Sequence, residues 1–249
     1  MYNPLDSAAK LESIVSHGLS RRYYRIVRRD RWYGGICTSD CVGCNLHCVF
    51  CWSNKPRDFP NEIGRFFSPQ DIFNALINCA KKNNINQLRI SGNEPTIAKQ
   101  HLFEILRLVD TTNYEFILET NGTLIDASYA KELSKFKNLH VRVSIKGTNP
   151  EEFSHLTGAY PDCFKLQLNA LKNLLEVQVN FHTAVMLSFS TQNNLKNFKE
   201  LLKKIHPSLI DNLEDEFVFL YSHVVKRLKK EHIKPNISYE PGKIPEELV

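Results

Sequence analysis

Five of the seven cysteines in this sequence fall within one short stretch, and cysteines in such a pattern can bind metal. A reducing compartment keeps thiols free, and thiolates are soft metal ligands, so crowded cysteines favour a metal centre over disulfides. Neither a secretory signal nor a run of about 18 apolar residues is present, so we expect a cytoplasmic protein outside the membrane. The five crowded cysteines are Cys37, Cys41, Cys44, Cys48 and Cys51, whereas Cys79 and Cys163 lie apart beside apolar helical patterns.

The spacing of Cys44, Cys48 and Cys51 is C-x-x-x-C-x-x-C. Three thiolates on one tight loop can hold three corners of a cubane [4Fe–4S] cluster and leave the fourth iron open to a small molecule. An open iron indicates chemistry rather than electron relay alone. The set Cys37, Cys41 and Cys44 has the same spacing and competes for this role. A structural zinc site would need two separated cysteine pairs, a pattern that these bunched cysteines fit poorly.

With Phe50 just before its third cysteine, the motif resembles that of the radical S-adenosylmethionine (radical SAM) superfamily. The aromatic position favours Cys44, Cys48 and Cys51, because the earlier set would place Gly43 there. Cys37 and Cys41 then either bind a second metal or cluster or remain free thiols. The resemblance implies that a reduced cluster cleaves bound S-adenosylmethionine (SAM) and that the resulting 5′-deoxyadenosyl radical abstracts a hydrogen atom from a substrate. It also implies a low-potential electron donor as a partner.

The segment Ser91–Pro95 is similar to the family's Gly-Gly-Glu-Pro turn, whose backbone and glutamate meet the methionine amino group of SAM. Gly92 would allow close backbone approach, and Glu94 offers a carboxylate to an ammonium group. Asn93 replaces the second glycine and is expected to tolerate a positive φ. This departure is the one feature that favours a non-catalytic adaptor that binds iron–sulfur or zinc.

Further candidate ligands follow later strands. Glu119 and Asn121 lie in a segment that resembles one in the activating-enzyme and deazaguanine-synthase branches, and they are expected to bond the ribose hydroxyls. Ser144 and Lys146 resemble the family's strand-four segment, which meets the methionine carboxylate or ribose. Lys146 needs an anion in its apolar setting, and the ligand's carboxylate is a natural one. His182 is expected to face the lumen, although a satisfied core histidine is the alternative.

The elements that must position these residues alternate between short strands and amphipathic helices. Strands are predicted to start near residues 87, 115, 140, 179 and 216, with enough chain between them for a crossover helix each time. One more strand, over 24–32 or 33–36, should precede the cysteine loop. The pattern predicts an α/β fold, a partial (β/α)6 barrel of parallel strands, in which ligands collect at the carboxyl ends of the strands.

Length and composition fit one globular domain: 249 residues, of which 42% are hydrophobic and 24% charged. We expect a basic segment and first strand over 1–35, a core barrel over 36–221, and a C-terminal helix and tail over 222–249. Six arginines between Arg21 and Arg31 suit a phosphate-bearing partner, unless they form a solvated strand.

The substrate stays open at this point. Trp52 after Cys51 and the basic segment resemble wyosine-type tRNA-modifying members, whereas the compact length and Glu119–Gly122 resemble glycyl-radical activating enzymes or small-molecule synthases. The first resemblance implies tRNA as the partner. The second implies a protein partner or a small-molecule substrate. No cysteine follows Cys163, so we expect no auxiliary-cluster domain of the kind found in peptide-modifying and sulfatase-maturing relatives.

Overall fold

The computed structural model describes residues 1–245. Several of its helices begin at a side-chain cap; α3, for example, starts with a capping box in which Ser68 and Asp71 bond each other's backbone amides. None of the helices within these residues has the length and apolar character to cross a bilayer. The helices are α1 Pro4–Val15, α2 Asn54–Asp58, α3 Pro69–Asn83, α4 Lys99–Val109, α5 Ala127–Leu133, α6 Pro150–Thr157, α7 Phe164–Glu176, α8 Gln192–Ile205 and α9 Ser222–Lys230.

Most strands belong to one mixed sheet in which β1, β2, β3, β5, β6, β7, β8 and β9 lie side by side and β4 pairs with β2. A small second sheet joins β10 and β11 in parallel. The strands are β1 Ser16–His17, β2 Ser20–Asp30, β3 Ile36–Cys41, β4 Arg65–Phe67, β5 Gln87–Ser91, β6 Glu115–Thr120, β7 Leu139–Ile145, β8 Phe181–Met186, β9 Glu214–Glu216, β10 Val218–Phe219 and β11 Ser238–Tyr239.

Six neighbouring strands, β3 and β5 to β9, run parallel, and helices connect most of them. This confirms the predicted α/β fold with parallel strands and six βα units, arranged as an open, partial barrel. The two faces of the sheet differ in chemistry. One face carries fully buried apolar side chains such as Leu118, Val141 and Ile145, which pack under the helices, and the other face carries polar and charged groups. We call that polar face the lumen.

The region before the cysteine loop differs from the prediction. Both predicted segments contribute: residues 24–32 fall mostly within β2, whereas β3 begins only at the end of 33–36. β2 runs antiparallel to β3, because a turn over Trp32–Gly35 reverses the chain between them. The sheet therefore extends across the predicted boundary at residue 35. Of the predicted tail, residues 246–249 lie outside the described residues.

Candidate active site

The cysteine loop, residues 42–53, follows the carboxyl end of β3 and carries Cys44, Cys48 and Cys51. Cys48 is buried, and the other two residues are half-buried. Helix α6 holds the loop from one side, since the amide of Val49 donates to the carbonyl of Leu156 over 2.9 Å. The three cysteines thus lie on one compact loop where parallel strands end, as the sequence predicted.

Burial raises the pKa of the Cys44 and Cys48 thiols, that of Cys48 to about 11, and neighbouring negative charges add to the rise. Lys146 and Arg57 act in the opposite direction at Cys48, because their positive charges favour a thiolate. Deprotonation of these thiols therefore calls for a positively charged group that binds them. Soft, buried thiols next to fixed cations suit an iron–sulfur cluster, whose irons supply that charge.

Within residues 1–245, no three His, Cys, Asp or Glu side chains converge as ligands of one metal ion. A cubane does not need such convergence, because each of its thiolates binds a different iron. The donor set of the cysteine loop therefore fits a cluster better than a single ion.

The segment after β6 reaches the cysteine loop through Asn121. Its side-chain amide donates to Asn45 Oδ1 over 2.9 Å and lies 3.9 Å from Cys44 Sγ. The Asn121 side-chain oxygen accepts from the amide and hydroxyl of Thr123. The structure thus brings the predicted residue Asn121 beside the first cysteine of the motif.

The turn Ser91–Pro95 is bonded directly to the start of the cysteine loop. Gly92 has φ +88°, a conformation that favours glycine. Asn93, which we expected to tolerate a positive φ, does not adopt one, since it is not among the left-handed residues of the described chain. Its side-chain oxygen instead accepts from the Gly43 amide over 2.9 Å, and the Glu94 amide donates to the Gly43 carbonyl. The residue that departs from the family pattern therefore links the turn to the loop.

Glu94 is 2% exposed, and its carboxylate joins two strand ends. Oε1 accepts from the hydroxyls of Thr96 and Thr120 and from the Thr96 amide, whereas Oε2 accepts from the Asn121 amide over 2.8 Å. A carboxylate oxygen can accept about two hydrogen bonds, so Oε2 keeps capacity for one more donor.

Glu119 faces the lumen, where it is fixed by internal partners. Oε1 accepts from Arg89 over 2.7 Å and from the Tyr33 hydroxyl over 2.9 Å, and Oε2 accepts from Ser91. Burial alone would raise its pKa, but the charges of Arg89 and Arg142 lower the pKa to about 2. Sequence reasoning missed Arg89 and Tyr33, because neither lies in the segments that carry the resemblance.

The lumen also supplies Lys146 with a partner that the sequence did not reveal. Lys146 Nζ lies 3.4 Å from Glu216 Oε2 and contacts the Ser144 hydroxyl, which donates to the same carboxylate oxygen. Arg142 pairs with Glu216 and Glu214. The anion that Lys146 was expected to need is thus present within the chain as Glu216, whereas a contact with a ligand's carboxylate stays a prediction. The alternation Glu214, Asp215, Glu216 was a signal for a strand with two carboxylates on one face, but the strand was predicted to start two residues late.

His182 lies near the start of β8, away from the strand ends that border the cysteine loop. Its side chain does lie on the lumen face, where Nδ1 is 2.6 Å from His140 Nε2 and Nε2 is 2.9 Å from Glu214 Oε2. Both ring nitrogens are thus engaged within the protein. This geometry favours the alternative of a satisfied core histidine over a cofactor ligand.

Cys37 and Cys41 do not lie in the cysteine loop but on β3, and both are fully buried. The Cys37 thiol contacts Cys79 of α3, and burial followed by this contact raises its pKa to about 12. The Cys41 thiol accepts from Arg21 over 3.4 Å. Their different surroundings support free, packed thiols rather than a second metal centre.

Phe50 is buried and stacks on Phe189 at a centroid distance of 5.7 Å.

Comparison with known families fits this arrangement of a cysteine loop at parallel strand ends. The sequence model of the Radical SAM superfamily matches residues 38–205, more than half of the chain. The chain belongs to this superfamily.

Among curated relatives, the chain is similar to the cysteine-type anaerobic sulfatase-maturating enzyme of Clostridium perfringens, with 27% identity over 80% of this chain and 54% of the relative. It is also similar to Fe-coproporphyrin III synthase of Methanosarcina barkeri, with 31% identity over 70% of this chain and 39% of the relative. The radical SAM chain thus spans about half the length of these relatives or less.

Among solved structures, the fold resembles that of SuiB of Streptococcus suis bound to S-adenosylmethionine. The TM-score is 0.56 at 18% identity, and the match covers 82% of this chain and 46% of that chain. This similarity shows a shared fold.

Proposed function

We propose that the chain binds a [4Fe–4S] cluster through Cys44, Cys48 and Cys51 and cleaves SAM reductively to begin a hydrogen-atom abstraction. When bound and reduced, such a cluster supplies the electron that splits SAM into methionine and a 5′-deoxyadenosyl radical. The observation that carries the proposal is the direct bonding of the cysteine loop to the turn Ser91–Pro95. Membership of the radical SAM superfamily and the proximity of Asn121 to Cys44 support it.

The proposed roles of the chain's residues follow from their contacts. The three cysteines provide thiolates, and Lys146 and Arg57 offset their negative charge. Glu94 Oε2 offers an acceptor to the ammonium group of SAM, next to the Gly92 backbone. The carboxyl ends of the parallel strands near this acceptor are also bordered by Phe50, Asn93, Asn121 and Ser144. Glu119 stays proposed as a ribose ligand, although its present bonds go to protein groups. His182 has no proposed role at SAM.

A cluster of this kind needs a low-potential electron donor from outside the chain, and a reducing compartment such as the cytoplasm would keep its thiols free. The relatives' names describe a cysteine-type anaerobic sulfatase-maturating enzyme and an Fe-coproporphyrin III synthase, so they point to no single substrate, and the proposal is confined to the cleavage of SAM.

Two alternatives receive less support. Of the arginine-rich segment, Arg21 is buried and Arg28 bonds Asp40, so only part of the predicted basic surface is left for a tRNA. The adaptor interpretation depended on Asn93, whose side chain now has a structural explanation in its bond to Gly43.

The test is a Cys48→Ala variant, purified without oxygen and reconstituted with iron and sulfide. We expect the wild-type chain to hold about four irons, to change its electron paramagnetic resonance spectrum when SAM is added, and to form 5′-deoxyadenosine. The variant should lose all three properties, and a Cys163→Ala control should keep them. A Cys48→Ala protein with an intact cluster that still cleaves SAM would contradict the proposal.

A further inference from the structure

Arg21 of β2 carries a buried charge that none of the proposed roles uses. The residue is 1% exposed, and its hydrogen bonds go to carbonyl oxygens and one thiol rather than to a carboxylate. Its buried Nε atom has no hydrogen-bond partner. Burial of a cation without a carboxylate is unfavourable, and a packed apolar side chain is often the more stable choice at such a position. Packing alone therefore does not explain an arginine here.

The partners of this guanidinium belong to two separate segments. Nη1 donates to the Pro95 carbonyl over 2.8 Å, and Nη2 donates to the Glu94 carbonyl over 2.7 Å. Nη2 also donates to the carbonyl of Val42, the first residue of the cysteine loop, over 3.3 Å. One planar group thus bonds both the cysteine loop and the turn Ser91–Pro95.

The geometry points to Arg21 as a positioning residue that fixes the turn Ser91–Pro95 against the cysteine loop. The rigid fork of a guanidinium can bond several fixed carbonyls at once, whereas a lysine ammonium is a compact charge on a flexible stem. Arg21 has no place among the proposed ligands of the cluster or of SAM. That the turn receives SAM rests on the proposed function, whereas the contacts of Arg21 do not.

The test uses two variants of the full chain and one matched control. Arg21→Lys keeps the charge, and Arg21→Met keeps the approximate length without the charge. Tyr23→Phe is the control, because Tyr23 lies on the same face of β2, is 1% exposed, and bonds His101 rather than the turn. If the methionine variant does not fold, the lysine variant decides the result.

Hydrogen–deuterium exchange of the metal-free proteins provides the first measurement. The Gly43 and Glu94 amides each bond the other segment, so they report on the contact between them. We expect at least tenfold faster exchange at these amides in both Arg21 variants and little local change in Tyr23→Phe. Equal protection in the wild-type and Arg21 proteins would overturn the inference, whether or not the chain binds a cluster.

Titration of SAM into reconstituted protein provides the second measurement. We expect the Kd for SAM to rise at least tenfold in the Arg21 variants, with iron content unchanged, and to stay near the wild-type value in Tyr23→Phe. Faster exchange without a change in Kd would overturn the role of Arg21 at the proposed SAM site, because the contact that Arg21 fixes would then not position a SAM ligand. If wild-type protein binds no SAM while exchange still quickens, the proposed function fails and the positioning role of Arg21 stands.

Discussion

Gly92 shows how little space the backbone has at the edge of the site. Its φ is +88°, and a Cβ atom built on it would lie 2.9 Å from the Tyr24 ring and 3.0 Å from the Cys41 carbonyl oxygen. An oxygen of the backbone cannot move as easily as the end of a flexible side chain. Gly92 therefore serves both an unusual backbone conformation and a close approach between β3 and the turn.

A Gly92→Ala substitution should lower the free energy of unfolding by about 2–4 kcal/mol, since it adds a steric clash to the cost of a positive φ. Gly18→Ala is the control, because Gly18 has φ +56° with no atom within 4 Å of the added carbon. The control should lose only about 1 kcal/mol. Urea unfolding measures the free energy of unfolding of both variants. An equal decrease in Gly92→Ala and Gly18→Ala would show that the clash at residue 92 is relieved at no cost.

The candidate residues were predictable where a short motif carries them and unpredictable where a distant partner decides their role. Cys44, Cys48 and Cys51 follow from their spacing together with Phe50 before the third cysteine, since Cys37, Cys41 and Cys44 share that spacing. The bond of Asn93 to Gly43 spans 50 positions, and the pair of Lys146 with Glu216 spans 70. A local sequence pattern does not indicate a partner that lies so far along the chain. The sequence therefore predicted that these residues belong to the site but did not reveal what they contact.

At the scale of elements, helix α9 covers the backbone of the cysteine loop. Arg227 Nε donates to the Val49 carbonyl over 2.6 Å, and the same guanidinium bonds the Cys51 carbonyl. His223 of the same helix contacts the Trp52 carbonyl at 2.9 Å. The loop is thus held by a helix far along the chain as well as by α6.

Removal of this contact should make a bound cluster easier to extract. In an Arg227→Met variant, we expect iron to pass to a coloured ferrous chelator several-fold faster than in the wild-type protein. Lys229→Met is the control, because Lys229 is exposed on the same helix. Absorbance of the chelate measures the rate, and equal release from both variants would show that α9 does not stabilise the loop.

The strands β5 to β8 were predicted to within about two residues, because apolar runs bounded by Gly, Asn and Asp mark such strands. The direction of β2 was not predicted, since side-chain alternation is the same in parallel and antiparallel strands. Helix α1 was missed as well. Its start depends on a cap by Asn3 and on Pro4, and those signals were not used.

At the scale of the whole molecule, charged groups in the lumen connect strands that are neighbours in the sheet or that lie on either side of a third strand. Arg89 bonds Asp30 of β2 and Glu119 of β6, and Arg142 of β7 bonds Glu214 of β9. Although burial acts to raise it, the charges of Arg89 and Arg142 lower the pKa of Glu119 to about 2, below the ordinary value of 4.5. A carboxylate with a lowered pKa stabilises the fold above pH 4.5, and this stability is lost as the pH falls toward 2.

A Glu119→Gln variant should therefore be less stable than the wild-type protein at pH 7, by on the order of 3 kcal/mol. The difference should narrow as the pH falls below 4.5. Glu115→Gln is the control, because Glu115 is exposed at the start of the same strand. Urea unfolding from pH 7 to pH 3 measures the difference, and a gap that does not depend on pH would contradict this explanation.

The contact between Arg227 and Val49 spans 178 positions of the chain. Ribosomes make a protein from its N-terminus, and the earlier parts begin to fold first. The three cysteines therefore leave the ribosome long before α9 exists. If these thiols bind the proposed cluster, a nascent chain therefore has all three of its ligands before the helix that later covers their loop has been made.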